Sequence, residues 1–178
     1  MIFKGVERMK ITVKDLRNGT MIIRNQQVLQ IIEFQNMNDV YRLHVMNYNK
    51  HEKQMVDIPV NEELETVVPE VFKAEFSYSE GDTYYFFNLD TYEEIAVEKD
   101  AVHKAEWMVE TQSCTLRSYN GKVFFVEPAR YVDIKVVKIE PGFNPIATLE
   151  NGVKIEVNSR VSVGDIIRVD IISEQMIY

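Results

Sequence analysis

Turn-forming residues punctuate this chain at short intervals, and they limit its fold more tightly than any other feature. Asn120-Gly121 lies between residues 113–119 and 123–127, and Asn151-Gly152 lies between residues 147–149 and 153–157. Both dipeptides tolerate positive φ at the two central turn positions, which is the geometry a tight β-hairpin needs. Glu80-Gly81-Asp82 plays the same part between residues 76–78 and 84–88. Residues 28–34 (VLQIIEF) and 41–45 (YRLHV) flank a further polar connector. Between these turns apolar residues alternate: Val153, Ile155 and Val157 are separated by Lys154 and Glu156, so one face is buried and the other wet. Residues 166–172 (IIRVDII) are more apolar and read as a deeper strand. Only residues 98–109 read as a helix of any length, with Ala101, Val102, Ala105, Met108 and Val109 at helical spacing and Trp107 read as core. One short turn is expected near Asp15 to Gly19.

Many short strands in 178 residues fit small barrels better than one sandwich, because each barrel closes its own edges. Pro69 and the strand at residues 132–139 are the natural joints. The expected organisation is therefore all-β, with modules at residues 1–67, 68–131 and 132–178. Charge follows these modules. The chain carries a net charge of −8, with nine Lys and Arg against nine Asp and Glu in the first module and six against twelve in the second. The third has five against seven. Such a balance lacks the phosphate-seeking field of a generic nucleic-acid binder, so any RNA contact has to be local.

Cys114 is the only cysteine, which excludes an intramolecular disulfide and any zinc site built on several thiolates. No apolar run approaches the roughly 20 residues of a membrane-spanning helix, and the opening MIFKGVERMK is too short and charged for a secretory segment. A soluble, cytoplasmic protein is expected. His44, His51 and His103 have no metal-ligand spacing, and no phosphate loop, dinucleotide fingerprint or nucleophile elbow occurs. His44 reads as a surface or edge residue of a strand, and Cys114 as a small buried hydrophobe. The aromatics Phe76, Tyr78, Tyr84, Tyr85, Phe86, Phe87 and Tyr92 could stack bases on an exposed barrel. In the most acidic stretch of the chain they read instead as core and cross-strand packing. The residues therefore give no support for an enzyme, a cofactor, a bound metal or a small-molecule substrate.

The order of segments resembles the bacterial elongation factor P family from about Lys10 onward. Asp15-Leu16-Arg17-Asn18-Gly19-Thr20-Met21-Ile22 resembles the family's opening motif, D-F-R-x-G-x-x-I. Phe76-Ser77-Tyr78-Ser79-Glu80-Gly81-Asp82, Phe86-Phe87-Asn88 and Thr91-Tyr92-Glu93-Glu94 are similar to its second domain. Val132-Asp133-Ile134-Lys135-Val136 with Glu140-Pro141-Gly142 resembles the entry to the third. Residues 147–153 (ATLENGV) resemble its A-T-L-x-T-G-x-V hairpin, and residues 163–169 (VGDIIRV) its closing strand. The resemblance implies an SH3-like (KOW-type) barrel followed by two OB-folds in a bent arrangement. It also implies a protein that binds the ribosome, both rRNA and peptidyl-tRNA, and assists peptide-bond formation at proline-rich junctions without catalysing it. The acidic second module argues against self-association, so a monomer is expected. Lys10, Lys14, Arg17, Arg24 and Arg42 are the residues read as RNA contacts.

Three departures bear on that role. Where the family carries a lysine-tipped loop resembling K-P-G-K-G, this chain has Gln35, Asn36, Met37, Asn38 and Asp39: shorter, and without a cation. A Gly-rich loop of the third domain is replaced by a direct passage through Phe143, Asn144 and Pro145. The sequence stops at Tyr178 without the usual basic residue. Two readings stay open: an elongation factor P-like protein with reduced or altered activity, or a paralogue repurposed as a non-ribosomal protein- or RNA-binding module.

Overall fold

A computed structural model describes residues 9–177. Residues 1–8 and Tyr178, which include the charged opening and the last residue, lie outside the described part. Three antiparallel sheets account for nearly all the regular structure. The first contains β1 (Lys10–Thr12), β2 (Met21–Arg24), β3 (Gln27–Asn36), β4 (Val40–Asn47), β5 (Glu52–Pro59) and β6 (Glu63–Val67), in the order β1-β6-β2-β3-β4-β5. A short 3₁₀ turn, Val13–Asp15, follows β1. The second contains β7 (Glu70–Glu80), β8 (Thr83–Asn88), β9 (Glu94–Glu98), β10 (Ser113–Tyr119) and β11 (Lys122–Pro128), in the order β11-β10-β7-β8-β9. The third contains β12 (Tyr131–Glu140), β13 (Ile146–Leu149), β14 (Lys154–Glu156), β15 (Ile166–Asp170) and β16 (Gln175–Ile177), in the order β14-β13-β12-β15-β16. Val68 and Pro69 interrupt the chain between β6 and β7, where proline has no N–H to give to a ladder.

The turn residues act as their chemistry requires. Gly81 (φ +59°), Gly121 (φ +75°) and Gly152 (φ +86°) hold left-handed conformations at three hairpins, and Asn120 (φ 51°) joins Gly121 in one of them. Asparagines finish two other strands. Asn47 is fully buried, its Oδ1 accepting from the backbone N–H of Asn49 (3.0 Å) and Lys50 (3.2 Å). Asn88 does the same for Asp90 (2.8 Å) and Thr91 (3.1 Å). In each case a side chain satisfies donors that the ladder leaves behind.

By contacts the chain forms two compact units: one runs through Val71 and takes in Leu116–Phe125, and the other comprises Phe72–Thr115 and continues from Val126. In the first, Val13, Leu16, Ile22, Leu29, Ile31, Leu43, Val45, Ile58 and Leu64 make the barrel core. A smaller cluster joins Met21, Val28, Tyr48 and Val67 to Phe125, with Phe125 and Tyr48 rings edge-on at 4.7 Å. In the second unit, the third sheet closes over Val132, Ile134, Val136, Leu149, Val169 and Ile171, with Trp107 inside the same core.

The helix expected at residues 98–109 does not form. Two 3₁₀ turns, Lys99–Ala101 and Ala105–Trp107, stand there instead, separated by Lys104 in the left-handed region at φ 54°. Between them Val102 bridges to Val126 in parallel fashion and the His103 N–H donates to the Val126 carbonyl at 3.0 Å. Covering the edge of β11 satisfies backbone groups that an α-helix would have turned inward on itself. The apolar spacing that suggested a helix also fits two single turns facing one core.

Candidate functional site

The β3–β4 hairpin stands where the family resemblance puts a lysine-tipped loop. Its ladder runs Phe34 to Leu43, Gln35 to Arg42 and Asn36 to Tyr41, so Gln35 and Asn36 belong to the strand rather than to the connector. The turn is therefore only Met37, Asn38 and Asp39, shorter than the five residues read from sequence. Local hydrogen bonds explain the shortening. Asn36 Oδ1 accepts the Asn38 N–H at 3.0 Å, the Met37 N–H donates to the Val40 carbonyl at 2.8 Å, and Asn38 takes φ 70°, which asparagine tolerates better than most residues. The Asp39 carbonyl accepts from Val60 N–H at 3.1 Å, tying the turn to the end of β5. Met37 and Asp39 face solvent, and no cation stands at the tip.

The five cations named as RNA contacts have different surroundings. Arg42, across from Gln35, donates through Nε and Nη2 to both oxygens of Asp57, each at 2.8 Å. That fork raises the guanidinium pKa and holds the Asp57 carboxyl below its ordinary value. Arg24 forks onto Glu62 in the same way, at 2.9 and 3.2 Å. Lys10 reaches Glu63 at 3.3 Å. Lys14, exposed in the 3₁₀ turn, has no ion-pair partner among the described residues, and Arg17 Nη1 donates to the Leu16 carbonyl at 2.8 Å. Three of the five thus already face a carboxylate, and Lys14 and Arg17 are the two with positive charge to offer. Sequence reasoning missed the pairing of Arg24 with Glu62, because the partners are 38 residues apart and only strand register brings them together.

The shortened passage of the third sheet lies between β12 and β13. Phe143 is fully exposed, at 103% of its reference area. With Asn144 and Pro145 it borders an open cleft of about 560 Å³ that Glu156, Asn158 and Gln175 also line. Nothing basic lines it. Elsewhere the groups considered for chemistry are quiet. Cys114 is buried and its thiol is pushed up to about 12 by that burial, with Lys73 opposing weakly. His44 is partly exposed on β4, with Nδ1 3.6 Å from Glu33. His103 is held below its usual pKa, first by burial and then by Lys104. No three His, Cys, Asp or Glu side chains among the described residues are placed to hold a metal, and no described helix is long and apolar enough to cross a membrane.

The aromatics of the second sheet divide. Phe76 and Phe86 are buried with rings 5.6 Å apart, whereas Tyr78, Phe87 and Tyr92 are exposed. Core packing holds for the inward pair, with half-buried Tyr84 against Phe76 at 5.7 Å, and cross-strand packing for Tyr78 on Tyr85, while Phe87 and Tyr92 stay open to solvent.

Comparison with known proteins decides what this frame is. The elongation factor P OB-domain sequence profile matches residues 70–126. Elongation factor P of Thermoanaerobacter sp. (strain X514) is 30% identical over 174 residues, which span 90% of this chain and 94% of that protein. The chain belongs to the elongation factor P family. Elongation factor P of Caldicellulosiruptor saccharolyticus is likewise 30% identical, over 90% of this chain and 95% of its own length. Among solved structures, a eukaryotic translation initiation factor 5A from Methanococcus jannaschii superposes with a TM-score of 0.52 at 14% identity, covering 72% of this chain and 98% of that one. That likeness concerns the fold. The all-β fold is the SH3-like barrel and two OB-folds expected of an elongation factor P relative, and the chain is a translation-factor homologue.

Proposed function

We propose that this protein binds the ribosome next to peptidyl-tRNA and assists peptide-bond formation at proline-rich junctions, with activity reduced or altered relative to its family. Family membership along nine-tenths of the chain supports the reading, and we infer modules at residues 1–67, 68–131 and 132–178. The contribution is positional. A bound factor restrains the tRNA end, lowering the entropic part of a barrier that the ribosome's own chemistry crosses. No residue of this protein takes part in bond making, and the protein acts as a monomer in the cytoplasm.

The turn Met37-Asn38-Asp39 is the observation that supports the qualification. Each extended residue supplies at most about 3.5 Å, so a three-residue turn projects less than a longer loop, and Asp39 meets RNA phosphates with the wrong sign. Contact with RNA falls instead to Lys14 and Arg17. The same turn favours the second reading, a paralogue repurposed as a protein- or RNA-binding module away from the ribosome.

Two measurements separate these. Cosedimentation with 70S ribosomes at modest salt is expected to show association, weakened by Lys14→Ala and Arg17→Ala and unchanged by Arg42→Ala. Absence of association at micromolar protein removes the ribosomal reading. In cells lacking their own factor, poor relief of a Pro-Pro-Pro stalling reporter is expected. Full relief would show that the short turn is no handicap.

A further inference from the structure

The solvent face of the second barrel carries an unusual grid. Strand register sets Tyr78 beside Tyr85, and Tyr85 beside Ala96; on one side Glu75, Phe87 and Glu94 form a row, and on the other Glu80, Thr83 and Glu98. A bulge between Phe76 and Tyr78 turns Tyr78 outward while Phe76 stays in the core. Tyr78 and Tyr85 stack at 4.5 Å with 14° between ring planes, and Phe87 meets Tyr92 at 6.1 Å. Tyr78 is 45% exposed, Phe87 38% and Tyr92 72%. Aromatic centres therefore lie open to solvent with a glutamate at each corner. Ion-pair partners for Glu75, Glu80, Glu94 and Glu98 are absent among the described residues, although carboxylates elsewhere in the chain are widely paired. Lys73, the adjoining cation on β7, is turned to Thr115 Oγ1 at 2.5 Å.

We propose that this face is a docking surface for an arginine-rich polypeptide segment of a partner protein, each guanidinium lying on the tyrosine and phenylalanine rings while its charge meets the flanking glutamates. Four unpaired carboxylates around exposed rings complement cations and repel phosphates, which excludes nucleic acid as the intended occupant. Arginine fits better than lysine because its planar, weakly hydrated head stacks on aromatic rings and can fork onto a carboxylate. The chain uses the same contact internally, where the Arg130 guanidinium carbon sits 5.3 Å from the Tyr131 ring centre while its nitrogens bond Asp170 at 2.7 and 2.9 Å. The acidic corner groups reach the rings: after partial burial, Glu94, Tyr85 and Glu80 hold the Tyr78 hydroxyl above its ordinary pKa. This surface is independent of the β3–β4 turn, and its test uses no ribosomes.

Three labelled probes are titrated with the full chain by fluorescence anisotropy at about 100 mM salt, where distant charges are screened: a peptide of alternating arginine and glycine, its lysine counterpart of equal length, and an oligouridylate. The arginine peptide is expected to bind about three- to fivefold more tightly than the lysine one. Glu94→Gln with Glu98→Gln weakens both about five- to tenfold. A control with the same charge change elsewhere, Glu52→Gln with Glu156→Gln, shifts binding less than about twofold. Tyr78→Leu with Tyr85→Leu abolishes the preference for arginine; the glutamine pair, which leaves the stacked rings untouched, guards against loss of folding in that variant. Equal binding of the two peptides, or equal loss in the control, overturns the proposal in favour of general charge attraction. Oligouridylate binding that the tyrosine pair removes makes the face an RNA platform and overturns it too. Self-association in sedimentation that Tyr78→Leu abolishes assigns the face to a second copy, with the same consequence.

Discussion

Replacing Trp107 by alanine tests the packing of the second unit at its most sensitive point. Trp107 is fully buried, and although it lies in the turns before β10, it sits among Val132, Ile134, Leu149, Val169 and Ile171 of the third sheet. A buried tryptophan removes about 150–250 Å² from water. At about 25 cal/mol per Å² this corresponds to about 4–6 kcal/mol before the alanine's own burial and any collapse of the cavity are subtracted. A net loss of about 3–5 kcal/mol follows, within the range of measured large-to-small core changes. Set against the few to fifteen or so kcal/mol typical of whole domains, that is a large fraction. Urea unfolding followed by far-UV circular dichroism measures it, with Trp107→Phe as a milder variant that keeps most of the volume. Phe143→Ala is the internal control, since an aromatic at 103% exposure should change stability by no more than about 0.5 kcal/mol. The single tryptophan also reports directly: its fluorescence midpoint in the parent chain should coincide with the dichroism transition of the second unit. A loss under about 1 kcal/mol for Trp107→Ala, or equal losses at Trp107 and Phe143, would refute the placement of this ring in the core.

Asn47→Ala should destabilise the first unit by about 2 kcal/mol, because the Asn49 and Lys50 N–H groups lose their acceptor at a buried position; chemical denaturation checks it, and Asn49→Ala at the neighbouring position gives a comparison. Gly152→Ala should cost about 1–2 kcal/mol: an added Cβ meets nothing within 4 Å, so the loss is the backbone's resistance to φ +86° alone. Acid should weaken the fold below about pH 4. Asp57, Asp133, Asp170 and Glu140 have carboxyl pKa values lowered in the folded state, chiefly by hydrogen bonds from Arg42, Arg168, Arg130 and Lys154 respectively. Their stabilisation is complete above the unfolded values of about 4 and drains away as pH falls through the folded ones. His103 acts in the same direction at higher pH: its lowered value means the unfolded chain takes up a proton first, so stability falls as pH drops below about 6.5, and thermal melts of His103→Gln should lose that part of the slope. Grafting Lys-Pro-Gly-Lys-Gly in place of Met37-Asn38-Asp39 should raise relief of the Pro-Pro-Pro reporter several-fold over the parent chain; no change would locate the deficit elsewhere.

The strands were legible because each one carries its own evidence. Asn120-Gly121 and Asn151-Gly152 name their hairpins through φ preferences that only a few residues meet, and alternation through Val153, Ile155 and Val157 names the buried face, even though β14 itself is confined to Lys154–Glu156. Residues 98–109 misled because helical spacing is a statement about one face, and a chain that turns twice against a core satisfies it equally well. What decided the matter, the edge of β11 waiting for Val102 and His103, lies more than twenty positions away. Three of the five cations have surroundings that were hidden for the same reason. Lys10, Arg24 and Arg42 read as positive charge available to RNA, yet the fold sets each beside a carboxylate distant in sequence or on a neighbouring strand. The exposed aromatics were hidden by a bulge: unbroken alternation from Phe76 would have left Tyr78 pointing inward, and the single extra residue sends it to solvent.

Both features concern how charge is distributed over the barrels. Pairing on the first barrel cancels one carboxylate for each cation, leaving the count of −8 unchanged, while Glu75, Glu80, Glu94 and Glu98 on the second have no ion-pair partner among the described residues, so unpaired negative charge gathers there. Of the cations considered near the hairpin, Arg42 is the closest in register to the tip, and its fork onto Asp57 spends both of its best donor directions. Three of the cations suited to phosphate are already paired with carboxylates on the first barrel, whereas the glutamates around Tyr78 and Tyr85 are open to a partner of opposite charge. Removing Asp57 would then do less for RNA binding than removing Lys14 would take away, because a freed Arg42 still lies opposite Gln35, behind a short turn that carries Asp39.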